Sequence, residues 1–413
     1  MSVVDVDEAE YDPFDFFNRN VGIGAVENPY PLFAFGRAKG LVKEDIAAEF
    51  GLESPGAAAG ADAPPVYTAY TYDAVQSVLR DGDVFSSAAY ADVMGMVMGH
   101  SILEMDEPEH HERRGLVQHA FTRKAMETWE RDAITPIIDE HIDAFVDDHE
   151  AELVRQLTFP FPVHVIARML GLPSEDLPQF HRWAIELISV AWDWDRGIAA
   201  SEALKGYFGA ILEARRKQPG NDVISILAHV EQDGERLTDE DIFAFLRLLL
   251  PAGAETTYRS SSNLLVGLLT NPDQLDALRA DRSLMNQAIE EGLRWEPPLL
   301  TILRTAAKTV DVCGTQLNPG DVVIVNMGSA NHDDKYWPDP ERFDIFRPQK
   351  NHIAFASGPH MCLGMHLARM ETRIVLEKLF DRLPNLRLDP KAPAPEISGM
   401  TFRAPAAIHV VWD

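Results

Sequence analysis

Apolar and polar positions divide this 413-residue chain into regions of different period. Val66-Tyr-Thr-Ala-Tyr70 alternates with period two and predicts a strand. From Asp106 to about Thr270 helical patterns dominate. From about Arg304 onward, strand-like pieces such as Val322-Val-Ile-Val-Asn326 and Ile408-His-Val-Val-Trp412 alternate with Pro/Gly loops. A helix-period segment, Leu363 to Phe380, lies among them. No internal repeat is present. The pattern predicts a mainly α fold with a smaller β-rich region.

One predicted helix is unusually long. Leu237-Thr238-Asp-Glu-Asp241 supplies a capping residue and an acidic first turn, and a long apolar run follows. It can continue to Asn271-Pro272, roughly 30 residues and about 45 Å at the α-helical rise. Pro251 and Gly253 interrupt its middle. Proline removes one hydrogen bond and disfavours a straight ladder, whereas Gly253 permits close approach of a flat group. A kink in a core helix explains Pro251 equally well.

Composition narrows the function. The net charge of −28 disfavours nucleic acid and anionic membranes as partners. The first twenty residues are acidic, unlike a signal peptide, and no run of eighteen apolar residues occurs. A protein without a membrane anchor, in the cytoplasm, is expected. Two cysteines, Cys313 and Cys362, exclude a disulfide framework and fit a reducing compartment. Cys313 lies where a strand enters a turn and reads as structural. Gly56 to Pro65 is a small-residue, flexible connection with no assigned function.

The chemistry concentrates in Phe355-Ala-Ser-Gly358-Pro-His360-Met-Cys362-Leu-Gly364. Gly358 can take a positive φ for a turn, and Gly364 leaves room for a flat ligand against the backbone. The loop delivers one cysteine to the first turn of a helix, where backbone N–H groups favour a thiolate. Such a thiolate suits the axial ligand of a haem iron, donating electron density that helps break an O–O bond. A buried, inert cysteine is the default for a single Cys; five fixed positions matching together weigh against it.

This window resembles the haem-binding loop of the cytochromes P450, and other segments agree in family order from about residue 85 to residue 405. Glu291-Gly-Leu-Arg294 is similar to the family's Glu-x-x-Arg, and Pro340-Glu-Arg342-Phe343 supplies the third member of its ion-pair network. Ala252-Gly253-Ala-Glu255-Thr256-Thr257 resembles its oxygen-activation segment, and His110-x-x-x-Arg114 its propionate-binding pair. The resemblance implies a single P450 domain over residues 1–413, a triangular prism with haem between the long central helix and the cysteine loop. Its β-rich parts are expected at about 25–75 and 304–413, and its helical part at about 76–300.

The same resemblance assigns roles. Cys362 would ligate the iron of haem b, with Phe355, Gly358 and Gly364 shaping the loop and Ala252 and Gly253 lying against the cofactor. His110, Arg114, Arg304 and His360 would hold the two propionates, which demand cationic or hydrogen-bonding partners when buried. Thr256 would be the alcohol and Glu255 the acid of a proton relay linked to bulk solvent. Thr256 back-bonding to a helix carbonyl is the alternative. Glu291, Arg294 and Arg342 would form a buried structural network.

Family alignment places the substrate pocket at Val93, Met94, Met96, Val97 and Met98, at Leu248 and Leu249, at Leu299 to Ile302 (Leu299, Leu300, Thr301, Ile302), and at Met400, Thr401 and Phe402. Ile188, Trp192 and Trp194 would belong to a lid above it. Methionines re-pack around irregular shapes, although ordinary core filling accounts for them too. Nearly all are apolar, so an apolar small-molecule substrate is expected. The implied reaction is oxygen-dependent monooxygenation, with a peroxide-driven peroxygenase and a non-catalytic haem-binding or sensing protein as alternatives. The acid–alcohol pair disfavours the first alternative, and the lack of an output domain the second.

Two cysteines cannot hold an iron–sulfur cluster. Electrons would therefore come from a separate [2Fe–2S] ferredoxin, or a flavodoxin, with its reductase. Arg113, Arg123 and Lys124, with Arg347, Lys350 and Arg369, are candidates for a local basic docking patch; scattered solvated charges are the other reading. A monomer is expected.

Overall fold

The computed structural model describes residues 11–51 and 64–413. The connection predicted at 56–65 lies outside the described residues but for its last two. A helical mass packs beside a five-stranded sheet. In that sheet Val66–Ala69 runs parallel to Val322–Asn326, which pairs antiparallel with Thr301–Ala306; Leu41–Val42 and Phe85–Ser86 form the two edges. The predicted strand at 322–326 has the same bounds in the structure, while the last strand shortens to His409–Val411.

The predicted long helix is Asp239–Leu269, 31 residues. Thr238 accepts from the Asp241 N–H, and the Asp241 carboxylate accepts from the Thr238 N–H, so two otherwise unpaired donors are satisfied together. Pro251 sits inside the helix without ending it. Tertiary packing outweighs one missing hydrogen bond, because nearly every side chain of this helix is buried in the main core. Helices Pro160–Met169, Leu177–Ile188 and Met365–Arg382 pack against it. It is the axis of the molecule.

Cys313 and Gly314 form the two-residue turn between Val310–Val312 and Thr315–Leu317, both with positive φ (53° and 80°). No helix among the described residues is long and apolar enough to cross a membrane.

Candidate active site

The cysteine loop is held by backbone contacts that leave little freedom. The Cys362 N–H donates to the Phe355 carbonyl at 2.9 Å, and the Met361 N–H to that of Gly358 at 3.1 Å. Gly358 has φ +75°, and a Cβ there would fall 2.3 Å from the Leu79 carbonyl oxygen. Both conformation and space therefore require glycine. Ala356 also takes a left-handed φ of 58°, a strain of about 1 kcal/mol for an L-residue. Glu290 braces the loop from outside by holding Arg369 at 2.5 and 2.8 Å and His352 at 3.1 Å. Arg369 in turn stacks 4.5 Å over the Phe355 ring. Burial opposes ionisation of Glu290, but hydrogen bonds from Arg369 and His352 hold it down to about 2.

The helix begins later than its periodicity suggests, at Met365, with Gly364 as its N-cap. Cys362 therefore precedes the helix and does not lie in its first turn. Cys362 is exposed, yet the protein mass around it pushes the thiol above its ordinary range; the Gly364 N–H, Arg114 and Arg369 pull the other way without prevailing. The expectation that the helix start and nearby backbone N–H groups favour the thiolate is corrected accordingly.

His110, Arg114, Arg304 and His360 come together beside this loop. The His110 and His360 rings stack at 3.9 Å, and Arg114 Nη2 donates to the Met361 carbonyl at 2.5 Å. His360 is depressed to about 3 by burial and then by His110, Arg304 and Arg114. Among the described residues Arg114, Arg304 and His360 form no ion pair, and His110 Nε2 is buried without a partner. Two guanidinium groups without an ion pair, beside a buried ring nitrogen without a partner, call for anions.

On the central helix Ala252 is exposed and Gly253 and Thr256 are half-buried, although nearly all of their neighbours are buried. A Cβ on Gly253 would meet only Ile166, at 2.8 Å. The missing side chain at Gly253 thus serves close packing on the neighbouring helix, a correction to its expected place against a flat group, which the uncovered Ala252 and Thr256 suit instead. Together with the unpaired cations, the residues fit a haem with two propionates.

The relay residues depart from expectation. The Thr256 hydroxyl donates to the Ala252 carbonyl at 2.8 Å, the back-bonded arrangement. The Glu255 carboxylate is 4% exposed and accepts from Arg259 Nη2 at 3.0 Å, so it has no direct path to solvent. Burial raises its proton affinity and Arg259 lowers it, with burial dominant.

The ion-pair network also needs correction. Arg342 is 66% exposed and, among the described residues, its side chain pairs only with Asp344, at 3.6 Å. Arg347 takes the inner position, 9% exposed and 3.3 Å from the Glu291 carboxylate. Arg342 contributes its carbonyl, which accepts from Arg294 at 3.2 Å and from Arg347 at 2.9 Å.

Of the pocket candidates, Leu300 and Met400 are fully buried in a separate small core with Tyr30 and Phe33 and cannot line a cavity. Val97 and Met98 are buried in the main core, Leu249 nearly so, and Met96 is 60% exposed. The Val93 side chain lies outside the described residues. Met94, Ile188, Trp192, Leu248, Leu299, Thr301, Ile302, Thr401 and Phe402 are half-buried. Trp192 and Phe402 both set ring edges against Phe17, at 5.8 and 5.6 Å, joining the lid to the C-terminal loop through a residue no motif marks. Arg247, also unmarked, donates at 2.8 Å to the Ser201 hydroxyl, which donates to the Val97 carbonyl.

The basic patch dissolves in part. Arg347 is buried in the network, Arg369 is paired to Glu290, and Arg113 and Arg123 face Asp241 and Glu127. Lys350 donates to the Tyr336 carbonyl at 2.7 Å.

Comparison with known proteins agrees with this geometry. Residues 162–400 match the family model described as Cytochrome P450. The putative cytochrome P450 YjiB of Bacillus subtilis is 37% identical over 78% of this chain and 83% of its own. The steroid C26-monooxygenase of Mycobacterium tuberculosis (strain CDC 1551 / Oshkosh) is 36% identical over 80% and 92%. The crystal structure of CYP109E1 from Bacillus megaterium in complex with testosterone superposes with a TM-score of 0.82 at 33% identity, covering 94% of this chain and 99% of that one. The fold and site thus define a haem-dependent oxidoreductase. The chain belongs to the cytochrome P450 family and is a P450 monooxygenase whose cofactor is haem b.

Proposed function

We propose that the protein inserts one atom of dioxygen into an apolar small molecule, with electrons delivered by a separate ferredoxin or flavodoxin and its reductase. The observation that carries this reading is the pair of guanidinium groups, Arg114 and Arg304, without an ion pair among the described residues and gathered with His110 and His360 beside the one thiol that the glycine loop presents. Cys362 would hold the haem through its sulfur, and His110, Arg114, Arg304 and His360 would hold its propionates. When bound, the haem supplies the oxygen-activating chemistry.

The chain's own residues then bind, exclude water and supply protons. The Thr256 hydroxyl spends its proton on the Ala252 carbonyl, which turns its oxygen lone pairs outward to accept a hydrogen bond. Glu255, whose proton affinity is raised by burial, is the acid next to it in the chain that would supply protons. The half-buried apolar side chains of Met94, Leu248, Ile302 and Phe402 favour an apolar substrate. Relatives support this, since one is named for steroid oxidation and another structure holds testosterone.

The test has two parts. Cys362→His should abolish the red-shifted Soret band of the reduced carbon monoxide complex; retention of that band would remove Cys362 as ligand. Titrating wild-type protein with apolar compounds, steroids among them, should shift the Soret band from low to high spin. Compounds that shift it should be hydroxylated when a surrogate ferredoxin, reductase and NADPH are added, and hydroxylation by peroxide alone would favour the peroxygenase.

A further inference from the structure

The N-terminal helix reaches two of the expected substrate-site residues through one ring. Helix Pro13–Asn20 starts on Asp12, whose carboxylate accepts the Phe14 N–H at 2.9 Å. Phe14, Phe17, Asn18 and Val21 follow the i, i+3, i+4, i+7 period and are buried together. Asn18 Oδ1 accepts the Tyr258 hydroxyl at 3.2 Å and Arg259 Nη2 at 2.8 Å, both from the central helix. Arg155 pairs with Asp12 and Asp15 and lies 4.2 Å over the Phe14 ring. The helix is thus pinned from two sides, and Phe17, 2% exposed, is held in place with it.

We infer that Phe17 is a positioning residue for substrate choice, a role that rests on the reading of Trp192 and Phe402 as walls of the substrate site. Trp192 stands in the joint between helices Leu177–Ile188 and Trp194–Lys217, and Phe402 in the C-terminal loop. Both rings are half-buried, and both meet the Phe17 ring edge to face, at centroid distances of 5.8 and 5.6 Å. Such contacts fix the tilt of a ring as well as its distance. The Arg259 guanidinium lies 5.5 Å over Phe17 and 5.3 Å over Phe402, so the two phenylalanines share one cation. Among the described residues no ring contact joins Trp192 directly to Phe402. Phe17, itself buried, therefore stands behind two rings that are still partly uncovered, and sets the width between lid and loop. A smaller apolar side chain at 17 lets both rings fall back, because packing closes only part of the gap from its other sides. The site then admits bulkier apolar molecules; the native ring holds it to slimmer ones.

The test titrates the haem-loaded enzyme with imidazole and with the much bulkier clotrimazole, which both bind haem iron through a nitrogen whatever the natural substrate. The red shift of the Soret band reads each affinity. Phe14→Leu is the control, since Phe14 is buried on the same helix but sets its ring against Phe159 and Tyr258. Phe17→Leu should raise the affinity for clotrimazole relative to imidazole roughly fivefold. Phe14→Leu should leave that ratio within about twofold of wild type while lowering the melting temperature by a similar amount. In a Phe402→Leu background the exchange at 17 should add little to the ratio. A wild-type ratio in Phe17→Leu, or an equal change in Phe14→Leu, would overturn the role of Phe17. If Phe17→Leu loses haem, Phe17→Met, which fills more of the space, replaces it; loss of haem in both, with Phe14→Leu intact, would show a purely structural ring and overturn the role as well. Trp192→Leu and Phe402→Leu test the reading beneath it. If neither moves the ratio, that reading falls and the role of Phe17 with it; if both move it and Phe17→Leu does not, only the role of Phe17 falls.

Discussion

The guanidinium of Arg294 meets the carboxylate of Glu291 in a two-pronged pair, Nε to Oε2 and Nη2 to Oε1, both at 2.8 Å, with side chains 1% and 4% exposed. The same carboxylate accepts the Asp344 N–H at 2.9 Å and faces Arg347. One acid therefore anchors the segment Pro338–Arg347, whose carbonyls cap both arginines. Removing one partner of a buried pair strands the other charge, at a cost of about 3–5 kcal/mol. Glu291→Gln and Arg347→Ala should both lower the melting temperature sharply and reduce haem retention. Arg342→Ala, at an exposed position, should change stability by less than about 1 kcal/mol. Thermal melts followed by circular dichroism check the contrast, and equal losses at 342 and 347 would contradict it.

Thr256→Ala removes the hydroxyl on the uncovered stripe together with the γ-methyl, and Thr256→Ser removes the methyl alone. NADPH consumption should continue while product falls several-fold and hydrogen peroxide rises. Thr256→Ser, which keeps the hydroxyl, should recover most of the coupling. Peroxide and product measured in the same reaction decide it.

Glu371 is a buried carboxyl on the cysteine helix, 2% exposed. Burial lifts it to about 8, against a smaller opposing effect of a hydrogen bond from Thr257. The folded protein thus keeps a proton that the unfolded chain loses above 4.5. Between pH 4.5 and 8 the native state binds more protons, so this group makes stability fall as pH rises. Glu371→Gln should remove that dependence and stabilise the protein at pH 7 by roughly 2–3 kcal/mol. At pH 5 the variant should differ little from wild type in urea unfolding.

The histidines of helices Pro160–Met169 and Leu177–Ile188 act in the opposite sense. Burial depresses His164 and His181 from 6.5 to about 4. The unfolded chain therefore binds more protons between pH 6.5 and 4. Their full contribution to stability is present above 6.5 and is lost as pH falls through that window. His164→Phe should flatten the acid limb of the stability curve by about 1–3 kcal/mol, and an unchanged limb would show that the ring is not buried neutral.

Period and punctuation made the long helix legible, because Thr238 and Asp241 mark its start and Asn271-Pro272 its end within two residues. Pro251 misleads as a break, since a buried helix tolerates one lost bond. The cysteine loop was legible because its glycines answer to backbone conformation, which sequence states directly. Arg347 was not: two arginines five residues apart on one loop are equivalent in sequence, and only the turn decides which one points inward. Two of the expected pocket positions lie elsewhere for a related reason. Leu300 and Met400 are as apolar as true lining residues, and depth in a separate small core is a tertiary property.

The hairpin turn at Cys313-Gly314 has a practical side. Both residues need positive φ, a shape that suits Asn-Gly better than Cys-Gly. The cysteine there is exposed and far along the chain from the glycine loop. In haem-loaded enzyme, where Cys362 would be engaged, it would be the single thiol open to a maleimide dye or to oxidative cross-linking of two molecules. Exchanging it for asparagine would give an enzyme that stores without covalent dimers, while leaving it in place offers one defined point for attaching a fluorophore or a surface.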